Sequence, residues 1–572
     1  MDRGEWDLQR YVEKWSVLLG IAAVAGLVGG LGAIAFRLLI EGFHSLFFFK
    51  VLPAVSYEVG GINLGYILLP VLGALLIAPL VKKYPELRGN GVPEVIEGVI
   101  FKSGKIGARL ALLKTIATAI SIGSGAPLGR EGPAAFIGAA LDSALAEKLP
   151  KPQARKLITT CGLAAGIAGT FNTPLAGAMF ALEVIYMGAI TINLVPIFVS
   201  AIIGNAITLV VLHQPARFPI LNPNISVLEG LPFYFILGII LGLIGYAYTR
   251  ALYMATDFFD AFSDRYSFEI RLLVGALGVG LIGMLLPSQG IFGIGFGGIK
   301  EALLGKFTLE MLIILALAKM TATLLAISSG FSGGIFAPSL FIGTMLGSAF
   351  GMVISHFAHA NVEAYALAGM AGFFSAATQA PLTQIIMITE MSGSYAYSPA
   401  VALTSVVAFI TARVFFRGSS IYTIKLERRG IRVKTGRPLL LETIVVHEIM
   451  TDEAVKIHMK RPLMEVEKVI ASTGHDFLPV VDDEGRVVGI IGVPDILGKP
   501  TSLKKLPVER VMRREFVVVN PNETAQDALD KILMNDQNLL PVVDNERKLI
   551  GVVTKKDIYR AYYEAIEGMY LY

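Results

Sequence analysis

The residues best suited to chemistry lie in one short stretch, Gly129-Arg130-Glu131-Gly132-Pro133, called here the first break. The charged pair is flanked on both sides by apolar or small residues. A carboxylate in such surroundings is costly, so it suggests a function. The glycines free the backbone, and a proline suits the first turn of a helix, where its missing N–H costs nothing. The pattern therefore predicts a helix start inside an apolar region.

A helix start of this kind attracts anions, because its unpaired N–H groups and the positive end of the helix dipole point the same way. Glu131 would then be a built-in anion at a place where a soluble anion could bind. The alternative is an ordinary helix start that Glu131 caps while Arg130 extends to water. On this motif alone both interpretations stand.

The composition indicates the class of protein to which this stretch belongs. The chain has 572 residues, of which 54% are hydrophobic and 16% charged, and its mean hydropathy is +0.64. These values are typical of a polytopic membrane protein that contacts the lipid bilayer. The net charge of +4 does not indicate a nucleic-acid partner, and the single cysteine, Cys161, excludes an intrachain disulfide. Residues 1–14 are polar, and we interpret them as a retained cytosolic segment.

The apolar spans that follow are of two kinds. Long ones cover about residues 15–49, 62–81, 191–213, 231–256, 270–287 and 309–328, and the last apolar run ends at Phe416. Others are interrupted by Gly and Pro at residues 89–93, 123–133, 172–174, 330–338 and 379–382. Non-helical backbone at membrane depth is tolerated only inside protein or beside water. The sequence therefore predicts an all-α membrane domain over residues 15–417, with broken helices around a polar cavity.

An internal repeat places a second break opposite the first. Residues 114–144 and 319–349 are identical at 14 of 31 positions, including matched Lys, Gly, Ser and Pro residues. The first break then corresponds to Gly334-Ile-Phe-Ala-Pro338, the second break, which carries no charge. Two related halves, about 15–213 and 231–417, interrupted at equivalent points indicate a binding site between them near the middle of the membrane.

These motifs resemble those of the CLC family of chloride channels and chloride/proton exchangers. The resemblance includes Gly89-Asn90-Gly91-Val92-Pro93 and a tyrosine, Tyr422, just past the last span. It implies a homodimer with one pore per subunit and two inverted-topology repeats, with chloride, and in some members protons, as the transported ions. It also implies that Glu131 gates the pore and binds the proton. The chloride-binding residues that it implies are Asn90, Gly91, Arg130, Gly132, Ile335, Phe336 and Tyr422.

The chain departs from the family pattern at two positions. Asn90 stands where the family usually has a serine, so the donor to the anion would be an amide NH₂ group instead of a hydroxyl. Val184 follows Glu183 where many exchangers have a second acidic residue that passes protons internally, and valine cannot carry a proton. Val184 favours channel-like conduction, with proton-coupled chloride exchange as the alternative. Glu183 itself is interpreted as structural, tying helices together.

The composition changes abruptly after the last span. A basic linker, residues 418–445, predicts that this end, like the N-terminus, is cytoplasmic. A second repeat follows with a period of 62, in which Leu-Pro-Val-Val-Asp occurs at 478–482 and again at 540–544. Short apolar strands alternate with amphipathic helices, as in a soluble α/β module. The pair resembles tandem CBS domains, here 446–502 and 503–572.

The CBS resemblance implies an adenine nucleotide bound by Thr554 and Asp557, with Asp495 as the counterpart in the first copy, where Gly492 replaces the threonine. The alternative, which we favour, is that Thr554 and Asp557 form a capping box at the start of the last helix. No metal site and no required cofactor are predicted.

Two other classes of protein carry CBS pairs. A membrane metalloprotease needs His-Glu-x-x-His, but Thr451 stands where the second histidine after His447-Glu448 should be, so we predict no enzymatic activity. A divalent-cation transporter is the remaining alternative, although its pore should be lined by acidic side chains. The preferred prediction is transmembrane transport of chloride and similar small anions.

Overall fold

The protein is described by a computed structural model that covers residues 2–147, 149, 152–186, 194–213, 218, 230–416, 418–428, 441, 444–496, 503–535 and 537–568. The chain divides into two compact units, Met1–Gly436 and Arg437–Tyr572. Most of the predicted basic linker, residues 429–440 and 442–443, lies outside the described residues.

The first unit is built of helices, as the sequence predicts. In its first half these are α1 Asp2–His44, α2 Leu52–Val55, α3 Gly65–Lys83, α4 Val92–Ile96, α5 Ala108–Gly123, α6 Glu131–Ala146, α7 Pro152–Phe171, α8 Pro174–Phe180 and α9 Leu194–Leu212. In its second half they are α10 Leu231–Arg265, α11 Phe268–Leu285, α12 Phe296–Leu303, α13 Leu309–Ser329, α14 Phe336–Ile354, α15 Val362–Thr378, α16 Pro381–Ser392, α17 Ser398–Phe416 and α18 Thr423–Glu427. A small hairpin, β1 Glu58–Val59 and β2 Ile62–Asn63, precedes α3.

The structure contains both the long apolar spans and the interrupted helices that the sequence predicts. Among the described residues, eight helical segments are long and apolar enough to cross a membrane, the first running from Trp15 to Val55 and the last from Ser398 to Phe416. Four helices start at an interruption: α6 and α14, of which α14 is one of the eight, start within the two breaks, and α8 and α16 begin at Pro174 and Pro381. The protein is thus a polytopic all-α membrane protein whose two halves contain matched broken helices.

Glycines bring α6 and α7 into close contact. A methyl group added at Gly138 would lie 2.1 Å from the carbonyl oxygen of Gly162, and one at Gly162 would lie 2.2 Å from that of Gly138. The second half repeats this contact between α14 and α15, where a methyl group at Gly343 or Gly369 would lie 2.4 Å from the other glycine's carbonyl oxygen. Small residues let membrane helices approach closely and gain packing energy. We call these two contacts the glycine seams.

We expect Gly162→Ala to destabilise the first unit, because the new methyl group meets backbone that cannot move without separating the helices. Overpacking costs roughly 1–3 kcal/mol, and the seam leaves little room for relaxation. The unfolding midpoint in detergent should fall relative to the wild type. Gly107→Ala is the control, because a methyl group there meets nothing within 4 Å; equal midpoints for the two variants would contradict the expectation.

Carboxylates cap broken helices across the two halves in a reciprocal manner. Glu183 accepts hydrogen bonds from the Leu382 and Thr383 amides at the start of α16, at 3.1 and 2.7 Å. Glu390 accepts from the Leu175 and Ala176 amides at the start of α8, at 3.0 and 2.9 Å. An anion at a helix start satisfies donors that have no acceptor within the helix. Glu183 thus ties the halves together, in agreement with its structural interpretation.

The second unit contains two similar α/β modules. In the first, strands β3 Ile457–His458, β4 Phe477–Val481 and β5 Val487–Gly492 form a sheet in that order, with α20 Leu463–Thr473 and α21 Val493–Ile496. The short helix α19 Val446–Ile449 precedes them in the chain but packs with the second module. In the second, β6 Leu539–Val543 and β7 Leu549–Thr554 pair antiparallel and are accompanied by α22 Ala525–Met534 and α23 Lys555–Gly568. Both Leu-Pro-Val-Val motifs lie in buried strands, β4 and β6.

Candidate functional site

The two breaks pair directly with each other. The Gly129 N–H donates to the Gly334 carbonyl at 2.7 Å, and the Gly334 N–H donates to the Gly129 carbonyl at 2.6 Å. The pairing is antiparallel, and it sets the starts of α6 and α14 side by side. The first-turn N–H groups of both helices have no acceptor within their helix. The structure therefore brings together the two sets of main-chain donors that the repeat predicted to face a shared site.

The 89–93 loop joins the same cluster. The Gly89 N–H donates to Phe331 at 3.1 Å, and the Gly333 N–H donates to Gly89 at 3.2 Å. A methyl group added at Gly132 would lie 2.4 Å from the Asn90 carbonyl oxygen. Gly91 has φ +84°, a left-handed conformation that favours glycine at the start of α4. The predicted site residues lie in four segments, and three of these, the 89–93 loop and the two breaks, are thus in contact.

Asn90 is half-buried, and its side chain has a defined orientation. Its amide oxygen accepts the Val92 N–H at 3.0 Å. This turn occupies the acceptor oxygen of the Asn90 amide. The NH₂ group, which only donates, is then the part of the side chain suited to an anion.

The Glu131 side chain lies between the two helix starts. Glu131 is the first residue of α6 and is fully buried. A methyl group added at Gly129 would lie 2.2 Å from Glu131 Oε2 and 2.9 Å from the Ala337 N atom of α14. The carboxylate is therefore directed to the start of the opposite half's helix, where the dipole favours negative charge. The capping alternative, with Arg130 extending to water, is not what the structure has, because Arg130 is also buried.

Arg130 is placed differently from the other predicted chloride-binding residues. One of its guanidinium nitrogens donates to the Thr170 carbonyl of α7 at 3.4 Å. The guanidinium therefore binds backbone within its own half. Any contribution of Arg130 to an anion site would come from its main chain or from its charge at a distance.

Tyr422, the last of the predicted site residues, lies in the same cluster. It is 1% exposed and lies near enough to Glu131 for their charges to interact. Its ring packs edge-on against Phe180, with the centroids 6.1 Å apart. Phe180 in turn contacts the ring of Phe336, at 6.0 Å. Aromatic rings thus form an apolar wall beside the helix starts, and Ile335 and Phe336 are themselves buried at the start of α14.

Two buried lysines hold the loops of this site, and the sequence analysis assigned them no role. Lys114 donates to the carbonyls of Leu87 and Gly89 at 2.9 and 2.8 Å. Its repeat partner Lys319 donates to Gly290, Ile291 and Gly293, each at 2.9 Å. A lysine inside an apolar span is itself a signal of function, and the matched positions in the repeat could have revealed the pair.

Each lysine supports a segment that bonds to the other half. Gly89, held by Lys114, pairs with residues 331 and 333 just before the second break. Gly293, held by Lys319, donates to Gly125 at 3.1 Å, just before the first break. We call this arrangement the crossed braces. Lys114 of the first half thereby positions the second break, and Lys319 of the second half positions the first break.

An ion pair connects the residues beside Asn90 with those beside Tyr422. Lys425 of α18 lies 2.6 Å from Glu94 of α4 and also donates to the Arg88 carbonyl at 3.3 Å. Glu94 is 8% exposed and the Lys425 side chain is 29% exposed, so the pair is partly shielded from solvent. Lys425 thereby positions Tyr422 relative to the 89–93 loop. Sequence reasoning missed this pair, because the two residues are more than 300 positions apart.

In the CBS region the nucleotide candidates contact each other and their neighbours. Thr554 Oγ1 and the Thr554 N–H donate to Asp557 at 2.6 and 2.9 Å, and the Asp557 N–H donates back to Thr554 at 3.3 Å. This is the geometry of the capping box. Asp495 accepts from the Gly492 N–H at 2.9 Å and from Arg513 at 2.8 Å. A nucleotide at either place would have to share or replace these bonds.

Paired helix breaks, buried among apolar spans, define a membrane transporter or channel. The family model described as voltage gated chloride channel matches residues 73–413, and the CBS domain model matches 446–501 and 508–564. The chain therefore belongs to the voltage-gated chloride channel (CLC) family and carries two CBS domains. It is a multi-pass membrane protein of an anion-transporting family, which is not a class of enzymes. This membership decides against the divalent-cation alternative.

Named relatives and solved structures agree with this assignment. The H(+)/Cl(-) exchange transporter ClcA of Yersinia pestis bv. Antiqua (strain Angola) is 31% identical over 437 residues, covering 74% of this chain and 90% of the relative. ClcA of Citrobacter koseri is 31% identical over 432 residues, with the same two coverages.

Two crystal structures share the fold. A slow cyanobacterial Cl−/H+ antiporter has a TM-score of 0.63 at 24% identity, covering 72% of this chain and 97% of that one. A eukaryotic CLC transporter has a TM-score of 0.62 at 19% identity and covers 94% of this chain and 97% of that one.

Proposed function

We propose that this protein exchanges chloride for protons across a membrane, with Glu131 alternately occupying the anion site and carrying the proton. One observation supports this more than any other: the Glu131 carboxylate lies against the start of α14. An anion drawn to the same donors competes with the carboxylate. Protonation removes the charge of Glu131 and frees the site for chloride.

In this scheme chloride is held by the amides at the two helix starts, the Asn90 NH₂ group and the Tyr422 hydroxyl. Gly91 and Gly132 allow the backbone segments to approach each other closely, and Ile335 and Phe336 contribute main-chain N–H groups. Such donors are fixed before the ion arrives, so they stabilise a small anion without a bound cation. Related small anions such as bromide and nitrate fit the same chemistry.

The comparisons favour exchange over the channel-like conduction that Val184 suggested. The named relatives are H(+)/Cl(-) exchange transporters, and one structure with this fold is an antiporter. The absence of an acid at position 184 removes one route for protons but does not remove Glu131. We therefore replace the preference for a channel with proton-coupled exchange.

The test is uphill proton movement in reconstituted vesicles. With a chloride gradient imposed across proteoliposomes and no initial pH gradient, we expect chloride flow to drive protons across the membrane and build up a pH gradient. A pH electrode and a chloride electrode record both ions in one experiment. Chloride flow that moves no protons would instead support a channel.

Three further properties belong to the same proposal. The CLC resemblance supports a homodimer with one pore per subunit, and the basic linker supports cytoplasmic termini and CBS domains. An adenine nucleotide at Thr554, Asp557 and Asp495 would have to compete with the hydrogen bonds described above. Calorimetric titration of the full-length protein with ATP tests nucleotide binding, and light scattering in detergent tests the dimer.

A further inference from the structure

Asp142 is a fully buried carboxyl group on the same helix as Glu131. It is 0% exposed, and within the part of the chain that the structure describes neither of its oxygens has a hydrogen-bond partner. Burying an isolated charge is costly, so such a group is stable when it binds a proton. An acid in these surroundings therefore needs an explanation.

The fold does not require a carboxyl group at this position. The repeat aligns Asp142 with Gly347 of α14, and the glycine seams are otherwise alike in the two halves. A methyl group added at Gly162 would lie 2.4 Å from Asp142 Oδ2, whereas the equivalent one at Gly369 would lie 2.6 Å from the Cα of Gly347. The second half thus builds the same helix contact without a side chain here. The carboxyl group of Asp142 is therefore a feature that only the glycine seam of the first half carries at this position.

Asp142 and Glu131 lie on one face of α6. They are eleven residues apart in the helix, which is close to three full turns and about 16 Å along the axis at 1.5 Å per residue. Glu131 is at the start of the helix, within the anion site. Asp142 is one turn before the end. The two carboxyl groups therefore mark the two ends of α6.

Asp142 also lies near the segment in which an internal acid is missing. Val184 belongs to the π-helix Ala181–Ile185 that follows α8. The side chain of Tyr186, two residues further on, contacts Thr160 of α7. Cys161, the next residue of α7, lies near enough to interact with both Tyr186 and Asp142. An acid at 142 can therefore serve the region that an acid at 184 would serve.

A cavity brings solvent close to this end of α6. It has a volume of about 260 Å³ and is lined by Ile106 and Phe136, among others. The Ile106 N–H donates to Ser143, the neighbour of Asp142, at 2.8 Å. The cavity also has three acidic and two basic side chains, namely Glu86, Glu94, Glu97, Lys102 and Lys105. Glu94 of this cavity pairs with Lys425, which follows the last span, so the cavity lies at the end of the helices that we assign to the cytoplasm.

The charged and titratable groups on the elements packed against α6 leave Asp142 unpaired among the described residues. Among the described side chains they are Arg37, Glu41 and His44 of α1, Glu94 of α4, Arg109 and Lys114 of α5, and Arg155, Lys156 and Cys161 of α7. Of these, Cys161 lies near enough to interact with Asp142. No ion pair that includes Asp142 occurs in the described part of the chain.

We propose that Asp142 is the internal proton carrier of this protein, in place of the acid that Val184 replaces. The inference rests on the proposed exchange function. In each cycle the O–H bond of protonated Asp142 breaks and a new O–H bond forms at Glu131. The Asp142 carboxylate then takes a proton from the solvent at the end of α6. Because about 16 Å is too far for direct transfer, water or hydroxyl groups carry the proton between the two acids.

The experiment compares Asp142→Asn with wild type and with Glu147→Gln in reconstituted vesicles under an imposed chloride gradient. Glu147 is exposed at the end of the same helix, so it is a matched control. We expect Asp142→Asn to keep chloride flux within about twofold and to lose proton movement by about a hundredfold, since a positioned proton-transfer side chain contributes about 10²–10⁴-fold. Asp142→Glu should restore coupling, and difference infrared spectra should lose the carbonyl band of one protonated carboxyl group in Asp142→Asn.

Wild-type coupling in Asp142→Asn would overturn the inference and leave the exchange function standing. So would loss of coupling in Glu94→Gln or Glu97→Gln with coupling intact in Asp142→Asn, because the cavity acids would then carry the proton. If Asp142→Asn lost chloride flux together with its folded elution profile, and Asp142→Glu did not recover both, Asp142 would be structural and the inference wrong. A wild-type protein that moves chloride but no protons would instead defeat the exchange proposal itself.

Discussion

Replacing Glu131 with glutamine should give chloride flux that no longer depends on pH and that moves no protons. Ionised Glu131 competes with chloride at the two helix starts, so wild-type flux should fall as rising pH ionises more of the carboxyl groups. Glutamine is neutral at every pH and cannot carry a proton. Proton movement should fall about a hundredfold or more, in line with the usual contribution of a positioned proton-transfer group.

The measurement is chloride efflux from vesicles at a series of pH values, with protons recorded at the same time. Glu310→Gln is the matched control, because Glu310 also lies in the first turn of a helix but is exposed. The control should keep the wild-type pH profile and coupling. If Glu131→Gln retained a normal pH profile, the gate would have to be another residue.

Replacing Lys319 with methionine should be among the most destabilising changes in the membrane unit. Methionine fills a similar volume but cannot donate to the carbonyls of Gly290, Ile291 and Gly293. Removing a buried charge recovers some desolvation energy, but each buried acceptor left without a donor costs about 1–3 kcal/mol. With three such acceptors the loss dominates, and we expect the free energy of unfolding to fall by about 3 kcal/mol or more.

The same substitution should reduce chloride flux per folded molecule, because Lys319 supports the first break through Gly293 and Gly125. Denaturant titration in detergent gives the stability, and flux normalised to folded protein gives the functional effect. Lys306→Met is the control, because Lys306 is an exposed lysine just before α13. Equal stability in the two variants would show that the crossed braces do not contribute.

Much of the fold could be predicted from sequence because membrane spans and helix breaks have strong local signals. Apolar length identifies the spans, and Gly-x-x-x-Pro in both halves identifies the breaks. The repeat predicted that the breaks face each other, which the pairing of Gly129 and Gly334 bears out. These signals are strong because backbone groups in a lipid bilayer must be hydrogen-bonded within the protein, and few structures satisfy this requirement.

The long-range polar contacts could not be predicted in the same way. Nothing local indicates that Lys425 reaches Glu94, or that Glu390 caps α8 while Glu183 caps α16. Asp142 follows an apolar run and looks like an ordinary helix end until the packing of α7 buries it. In each case the surroundings of the side chain depend on how the helices assemble, which the local sequence does not indicate.

The pairing of Gly129 with Gly334 has a consequence for biosynthesis. Its two residues are 205 positions apart, and chains are synthesised at about 5–20 residues per second. The earlier glycine therefore leaves the ribosome about 10–40 s before its counterpart exists. Throughout that interval the newly inserted first half has to persist in the bilayer with its interrupted helix unmatched. The translocation machinery or a chaperone that shelters this half-made state would determine the yield of assembled protein.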